Sequence, residues 1–522
     1  MKMAKASILS ARTETAGDKL RVECVGDYSV PDYQPEIRRI LRVHTRVLPS
    51  GRYRRGGHTE CAGLCVHTVL YSTDEGALAT LDVTSEYGFS FPSEEGDEVL
   101  LLAPRVEGVS CRLGGPRRIT VRCMLSLVPH VYAEVKSPDP RGLAALEGED
   151  TVCLTHPIRT VRAELLAPLE LALSDTRGVE GGSELLAADA EAEVTEAHIV
   201  EKGAEIKGEV LVSALFSGEG AVPYFLSHRI PFEACLPCEA TEGAEVFAYP
   251  TVTALEARAV SGEGAGTRLL IDVGLELSAE VLTPSVERVV VDAFSLKSPL
   301  VARKESIPMT ERLGVVTHRL GVECRTSRSE SDSEDASAVV DLGMTVRVTS
   351  QVREGDSLTV RGDCLADAAL LLCSHDADGH PDYATASFST PFEACIELPR
   401  GLAEDAELEV GARALDVKGR LEAASLCAEG EIVLTVRATR RRTLSLAVGM
   451  QEGVSGQSSM LGDSELLAVY PTERESLWSL ALKYRVSPER IAEQNGLPPE
   501  ALESADLPSS IDGCARLLLE RA

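Results

Sequence analysis

The chain has 522 residues, enough for about three or four domains. Its hydrophobic content of 44% is typical of globular proteins, and with only 4% aromatic residues the cores are expected to be mainly aliphatic. A net charge of −30 argues against a nucleic-acid-binding protein, because phosphate contacts require a basic face. No apolar run approaches the about 20 residues of a membrane span. Residues 1–10 carry positive charges without an apolar stretch behind them, which predicts a cytosolic protein without a signal peptide.

The first predicted strand lies in an arginine-rich stretch. Arg42, His44 and Arg46 alternate with apolar residues, so they are expected to share one face of a strand. One interpretation is a face that is simply solvated. The other is a docking patch, formed by Arg38, Arg42 and Arg46, for an acidic partner or for the acidic domain of a second copy of the chain.

A five-residue motif, Pro-Phe-Glu-Ala-Cys, occurs at 231–235 and again at 391–395. Each copy follows a predicted strand, a polar turn and a second strand. A fainter copy of the same pattern covers residues 65–89. The spacing is that of a whole domain and far too long for one unit of a solenoid.

Each copy of the pattern ends in a strand whose apolar residues alternate with polar ones. These strands are predicted over 119–127, 269–277 and 432–436. Such alternation indicates a sheet with one face on a core and one face in water. The sequence therefore predicts three homologous, mostly β domains, over residues 20–150, 155–295 and 300–450. A flexible insert is expected at 325–337 within the third domain, because this stretch is rich in Ser and acidic residues.

The sequence offers few candidates for catalysis or metal binding. No Walker A, His-Glu-x-x-His or Gly-x-Ser-x-Gly motif occurs, so no enzyme activity and no cofactor are predicted. Cys235 and Cys238 form a Cys-x-x-Cys motif without the second ligand pair that a zinc site needs. The His- and Asp-rich loop 373–382 has ligands for a transition metal but is also typical of a turn, and we predict the turn. Most cysteines stand singly in apolar stretches and are expected to be buried free thiols.

After a Gly- and Ser-rich linker at 451–464, the pattern changes to β-α-α-β. Residues 472–475 have the spacing of a helix capping box, and a first helix follows. Ser487 and Pro488 predict the start of a second helix, which ends at Asn495-Gly496. Trp478 has the helical spacing of a core residue, although a sugar-binding platform is the alternative.

This segment resembles a LysM domain. Residues 470–481 resemble the opening of that family, and 483–497 resemble its middle part, within a match covering 465–522. The resemblance implies a groove for N-acetylglucosamine chains between the loops 471–476 and 496–499. The predicted glycan- or partner-binding residues are Thr472, Glu473, Arg474, Ser476, Gly496, Leu497 and Pro498.

The three repeats resemble SPOCS domains, a spore-coat-associated family. The resemblance lies in residues 32–43, in the strand pair 200–210, and in the repeated Pro-Phe-Glu motif. The expected fold is therefore mainly β, with three repeated all-β SPOCS-like domains followed by a small β-α-α-β LysM domain.

The two resemblances together imply a non-enzymatic scaffold of spore coat assembly. Such a protein is expected in the mother-cell cytoplasm, at the forespore surface, where it binds the coat-basement ATPase SpoIVA and other coat proteins or self-associates. The alternative is a protein that binds peptidoglycan or a chito-oligosaccharide through its LysM domain. A cell-wall hydrolase with a LysM anchor fits less well, because no catalytic motif accompanies the repeats.

Overall fold

A computed structural model gives the fold. It describes residues 12–16, 18–100, 104–134, 146, 148, 150–179, 184–217, 223–239, 243–261, 267–328, 334–375, 379–453, 466–472, 475–498, 511 and 516–520.

Antiparallel strands form almost all of the described chain. The N-terminal part consists of β1 (Arg12–Ala16), β2 (Leu20–Ser29), β3 (Arg39–Arg55), β4 (His58–Ser72), β5 (Leu78–Pro92), β6 (Glu98–Leu100), β7 (Arg105–Gly115), β8 (Arg118–Leu127) and β9 (His130–Glu134). The middle part consists of β10 (Thr151–Val179), β11 (Leu185–Val200), β12 (Gly203–Phe216), β13 (Tyr224–Leu236), β14 (Glu245–Ser261) and β15 (Thr267–Ser295). Next come β16 (Leu300–Ser327), β17 (Ala336–Glu354), β18 (Ser357–His375), β19 (Pro381–Glu397), β20 (Glu407–Leu421) and β21 (Ser425–Glu452).

The C-terminal unit is small and contains the helices. Its elements are β22 (Leu466–Val469), α1 (Leu477–Tyr484), α2 (Pro488–Asn495) and β23 (Leu517–Glu520). The mainly-β fold class predicted from the sequence is thus confirmed. No helix in the described ranges is both long enough and apolar enough to cross a membrane.

One strand arrangement occurs three times in the chain. In module 1 (β2–β8), strands β3, β4 and β5 form one sheet, and the first strand β2 pairs with the last strand β8, which pairs with β7. Module 2 (β10–β15) and module 3 (β16–β21) repeat this pairing strand for strand. Each module is a sandwich of two sheets whose inward-facing aliphatic residues form its core.

The repeated Pro-Phe-Glu motif covers a glycine on the neighbouring strand. Phe232 on β13 stands directly opposite Gly208 on β12, and Phe392 on β19 stands opposite Gly362 on β18. In both pairs the aromatic ring occupies the space where a glycine Cβ would lie. In module 1, Tyr87 covers Gly63 in the same way. In all three modules, a bulky ring therefore covers a close approach of two strands.

Modules 2 and 3 share one continuous sheet. The strands β10, β15, β16 and β21 extend beyond their sandwiches, and β15 meets β16 at the Phe294–Val301 pair. Register shifts at Leu166/Leu169 and at Arg312/Gly314 mark the bends in these long strands. The extensions pack on each other through a second set of buried apolar residues.

The three modules meet at a central apolar junction. Leu41 and Leu70 come from module 1, Leu186 and Leu215 from module 2, and Val340, Ala369, Leu371 and Tyr383 from module 3. The Tyr383 hydroxyl also donates a hydrogen bond to the Gly76 carbonyl at 3.1 Å, and Thr80 Oγ1 donates to the Leu186 carbonyl at 2.8 Å. Each module therefore contacts the other two.

The prediction of a flexible insert at 325–337 is wrong at both ends of that range, where the structure has strands. Residues up to Ser327 belong to β16, and β17 begins at Ala336. Arg328 holds the two strand ends together, since its guanidinium donates to the Ala336 carbonyl at 2.5 Å. The centre of the insert, 329–333, lies outside the described residues. The linker at 451–464 also starts in a strand, because β21 runs to Glu452, and 454–465 lie outside the described residues.

Candidate binding site in the C-terminal unit

The C-terminal unit is held together by a short sheet and by helix caps. β22 pairs with β23 in antiparallel fashion. Asn495, the last residue of α2, donates from Nδ2 to the Leu518 carbonyl at 2.7 Å and accepts from the Leu518 amide at 2.6 Å. Ser487 caps α2 and Pro488 occupies its first turn, as the sequence predicts. These contacts place the two predicted binding loops at the start of α1 and at the end of α2.

The capping box of α1 lies later in the chain than predicted. Ser476 is the N-cap, and its side chain accepts from the Ser479 amide at 3.0 Å while Ser479 Oγ accepts from the Ser476 amide at 2.8 Å. The residues predicted to form the box instead close a turn, in which the Thr472 amide donates to Glu475 Oε2 at 3.0 Å. This hydrogen bond lowers the pKa of Glu475. The prediction failed because two neighbouring segments both have capping-box spacing.

The predicted loop residues differ in how accessible they are. Thr472, Gly496 and Pro498 are exposed, whereas Ser476 is buried in the helix cap and Leu497 packs against the core of the unit. Glu473 and Arg474 lie outside the described residues. Among the described residues of the two loops, no hydrogen bond joins one loop to the other.

The described loop amides are already engaged within the chain. The Glu475 amide donates to the Thr472 carbonyl at 3.0 Å, and the Leu497 amide donates to the Ala492 carbonyl at 2.9 Å. Gly496 adopts a left-handed conformation with φ of 63° and donates back into α2. At the described residues of these loops, a ligand would therefore meet exposed side chains and carbonyl groups rather than free amide donors.

One side of the C-terminal unit packs against module 2. The Trp478 indole donates from Nε1 to Asp292 Oδ2 at 3.0 Å, and its ring meets Phe294 edge-on at 5.1 Å between centroids. Val152 from β10 joins the same apolar cluster. Trp478 is therefore a core residue, as its helical spacing predicts, and it also contacts the body directly.

Arg485 holds the same contact from the other end of α1. It caps that helix in a left-handed conformation with φ of 58°, which is uncommon for a residue other than glycine. Its guanidinium donates to the carbonyls of Ser295 at 3.2 Å and Leu300 at 2.6 Å. These two bonds secure both the unusual backbone conformation and the position of the unit on the body.

The predicted arginine docking patch is divided between solvent and an internal contact. Arg42 Nη1 lies 3.2 Å from Asp341 Oδ1, and His44 Nε2 lies 2.5 Å from Asp341 Oδ2, in module 3. Arg38 is exposed and Arg46 is half-buried. Arg42 and His44 thus share one strand face, and the acidic group that they contact belongs to the same chain.

A cavity of about 170 Å³ opens beside this contact. It lies where all three modules meet, and Arg42, His44, Glu191, Ser213, Phe225 and Asp341 are among the residues that line it. Burial alone would raise the pKa of Asp341. The opposing effect of His44 and Arg42 is larger and brings this pKa down to about 2. Asp341 is therefore ionised at neutral pH although its side chain is fully buried.

The described ranges contain no group of three or more His, Cys, Asp or Glu residues arranged to hold a metal ion. Cys235 is exposed and Cys238 is half-buried. In the His- and Asp-rich loop, residues 376–378 lie outside the described chain, so the predicted turn there is not described.

Sequence reasoning missed Asp341 and Asp292. Asp341 follows the apolar run 338–340, and a single carboxylate in such a run is a signal for a buried ion pair. Asp292 likewise interrupts an apolar strand. A carboxylate in an apolar strand indicates that a partner is needed but not which residue it is. The partner of Asp292 is Trp478, which lies far along the chain.

Comparison with known proteins identifies two segments. Residues 183–260 match the family model described as "SipL, SPOCS domain", and residues 472–504 match the LysM domain model. No curated protein matches the chain. Among solved structures, the V. cholerae type IV competence pilus secretin PilQ is 11% identical, with 64% of this chain and 69% of that chain covered. The TM-score of 0.10 is too low to indicate a shared fold.

The SPOCS match lies within module 2, and the LysM match begins in the first binding loop and extends through both helices. Both are non-catalytic domain families. Together they support a sporulation-related protein with a domain of a glycan-binding family. The chain therefore combines a SPOCS domain of the SipL type with a C-terminal LysM domain.

Proposed function

We propose that this chain is a non-enzymatic adaptor of spore coat assembly, in which all three modules are SPOCS domains and the LysM domain binds a protein partner. Modules 1 and 3 repeat the strand pairing of module 2, which carries the family match. They also repeat its aromatic ring over a glycine. These shared features support a common origin for the three modules.

The observation that carries the proposal is the state of the LysM loops. Their described amides bond within the chain, and Ser476 is used as a helix cap. Recognition of a sugar chain needs polar groups that can exchange water for sugar hydroxyls. A protein surface can instead bind exposed side chains such as Thr472 and Pro498 through shape and apolar contact.

The expected partner is the coat-basement ATPase SpoIVA, at the forespore surface in the mother-cell cytoplasm. Because the LysM domain is fixed to module 2, a partner bound at its loops would be held in a set orientation to the body. The faces of modules 1 and 3 would then be available to further coat proteins or to a second copy of the chain.

The test measures binding of the full chain to purified SpoIVA by calorimetric titration. A double variant, Thr472→Glu with Pro498→Glu, places two charges on the exposed loops without touching the core. We expect its affinity to fall at least about tenfold, since buried unpaired charges cost more than 1.4 kcal/mol in an interface. The control is Val286→Glu, at a residue 65% exposed on module 2. Equal affinity of wild type and double variant would contradict LysM-mediated binding.

The second candidate function is glycan binding through the same domain. It is favoured by the LysM match itself and by the exposure of Thr472, Gly496 and Pro498. Titration of the full chain with N-acetylglucosamine oligomers separates the two functions. Saturable heat with the oligomers, lost in the double variant, together with no binding of SpoIVA, would replace the adaptor by a peptidoglycan-binding protein.

A further inference from the structure

Two of the three sandwich cores contain cysteines that face each other across the two sheets. In module 3, Cys324 lies on β16 and Cys364 on β18, which belong to opposite sheets. Both thiols are fully buried, and Cys324 Sγ donates to the Cys364 carbonyl at 3.8 Å. The two thiol groups also lie close enough to hydrogen-bond with each other.

Module 1 has the same arrangement with one thiol more. Cys24 on β2 and Cys65 on β4 come from opposite sheets and are hydrogen-bond neighbours. Cys123 on β8 stands directly opposite Cys24 in the strand register and also contacts Cys65. All three side chains belong to one buried cluster.

The two thiol pairs occupy corresponding positions in their modules. Cys65 comes two residues after Gly63, and Cys364 two residues after Gly362, the glycines under the aromatic rings. Cys65 and Cys364 also each stand opposite a residue with a hydroxyl side chain on the next strand.

Those hydroxyl residues are Ser85 and Thr390. Module 2 has Val210 and Ile230 at these two places. Packing alone therefore does not require thiols at this point of the sandwich, since aliphatic side chains fill the same space in module 2.

We propose that Cys324 with Cys364, and Cys65 with one of its two thiol neighbours, are oxidised to disulfides that join the two sheets of each sandwich, with a low-molecular-weight disulfide as the oxidant. A buried disulfide between the two sheets is a known solution in β-sandwiches, as in immunoglobulin domains. While the chain is in a reducing compartment, the pairs stay thiols.

The exchange balances as two thiol–disulfide steps. The Cys324 thiolate attacks one sulfur of the oxidant, which forms a mixed disulfide and releases one thiolate of the oxidant. The Cys364 thiol then loses its proton and attacks Cys324 Sγ, which forms the intersheet bond and releases the second thiol. The protein loses two electrons and two protons, and the oxidant becomes two thiols.

Cys324 has a hydrogen-bond partner outside the thiol pair, Thr390, which favours the Cys324 thiolate in the first step. A hydrogen bond from the Cys364 thiol, and a smaller contribution from Thr390, lower the pKa of Cys324, whereas the pKa of Cys364 is raised. Both sulfurs are shielded from solvent, so the oxidant reaches them only when the edge of the sandwich opens. Oxidation is therefore expected to be slower than at an exposed thiol such as Cys395.

The test incubates the full chain in glutathione redox buffers, unfolds it in iodoacetamide, and maps the peptides by mass spectrometry. We expect a Cys324–Cys364 link and a link from Cys65 to Cys24 or Cys123. The exposed Cys395 is the internal control, because glutathione attached to it shows that the oxidant was active. We further expect Tm to rise on oxidation and to return to its original value on reduction, since a link restricts the unfolded chain.

Matched variants make the result specific. Cys65→Val with Cys364→Val copies Val210 of module 2 and is expected to fold, to lose both links and to lose the redox-dependent shift of Tm. Cys395→Ser is expected to keep them. The proposal is overturned if Cys324 and Cys364 are both recovered as alkylated free thiols while Cys395 carries glutathione. It is also overturned if the shift of Tm persists in the double valine variant.

Discussion

Asp341 links module 3 to module 1 through two positively charged or protonatable groups. Its side chain is fully buried, and its oxygens contact Arg42 and His44 at 3.2 and 2.5 Å. An isolated buried carboxylate would be very unfavourable, and this one is compensated by its two partners. Loss of the negative charge would leave Arg42 in a half-buried position without its counterion.

Asp341→Asn is expected to lower the free energy of unfolding at pH 7 by about 3 kcal/mol, the usual cost of removing one partner of a buried pair. The lowered pKa of about 2 stabilises the fold above the unfolded value near 4. The stabilisation that comes from the ionised Asp341 is therefore fully present above about pH 4 and is lost as the pH falls towards 2, so the difference between wild type and variant shrinks over that range. Urea unfolding across this range measures it.

The matched control is Asp367→Asn in the same module, where the carboxylate is exposed and accepts from Ser387 Oγ at 2.6 Å. We expect its stability to stay within about 0.5 kcal/mol of wild type. An Asp341→Asn protein as stable as wild type at pH 7 would show that the pair contributes nothing.

The sequence predicted half of this contact. Alternation placed Arg42 and His44 on one strand face, and the structure has both side chains on Asp341. The pairing itself joins strands from the first and third modules. No local pattern encodes so distant a contact, so the sequence left a solvated face and a docking patch for another molecule as the two interpretations.

In each module, an aromatic ring packs over a glycine where two middle strands lie side by side. At Gly362 an added Cβ would collide with the Arg347 carbonyl on one side and the Phe392 ring on the other. Both strands are paired along their length, so neither can move away cheaply. The close approach therefore depends on the absence of a side chain.

Gly362→Ala is expected to destabilise the protein by about 2 kcal/mol, as overpacking in a well-packed site does. Thermal or urea unfolding of the full chain measures the loss. The control is Gly321→Ala on β16, where an added Cβ meets nothing within 4 Å and should leave stability unchanged or slightly higher. Equal stability of the two alanine variants would contradict the steric role of the ring.

Repetition in the sequence located this element but could not explain it. The Phe-containing copies at 231–235 and 391–395 are plain, whereas module 1 has Tyr87 in a different local sequence. The partner glycine is identified only by the strand register, which depends on how the sheet is paired. The helix cap at Ser476 shows the same limit, because competing caps are resolved by packing.

At the scale of the whole molecule, the C-terminal unit is part of the body. A Gly- and Ser-rich linker suggested a tethered unit, but Trp478 and Arg485 fix it to the end of β15. The composition of a linker indicates how flexible the linker itself is. It does not indicate whether the two units that it joins bury apolar surface against each other. Trp478 is buried, as its helical spacing predicts, but that prediction did not show that part of its contact is with the body.

A specific protease site inserted between 453 and 466 tests this docking. After cleavage, the C-terminal fragment is expected to co-elute with the body in gel filtration. Asp292→Ala removes the carboxylate that accepts from the Trp478 indole, and a hydrogen bond to a charged group contributes about 1.5–3 kcal/mol. The dissociation constant of the cleaved pair should therefore rise at least about tenfold.

The control for the cleavage experiment is Glu305→Ala, which removes a carboxylate that is exposed on β16 and pairs with Arg303. It should leave the dissociation constant unchanged. Separation of the fragment from the wild-type body directly after cleavage would show that the linker, rather than the contact, holds the unit in place.

The pairing of each module's first strand with its last has a consequence for synthesis. β2 cannot find β8 until Leu127 has left the ribosome, more than a hundred residues after Leu20. At about 5–20 residues per second, the first strand waits several seconds with an unpaired edge. The same delay recurs twice, for β10 and β16. Three successive intervals of exposed edge strands make the growing chain a natural client of ribosome-associated chaperones.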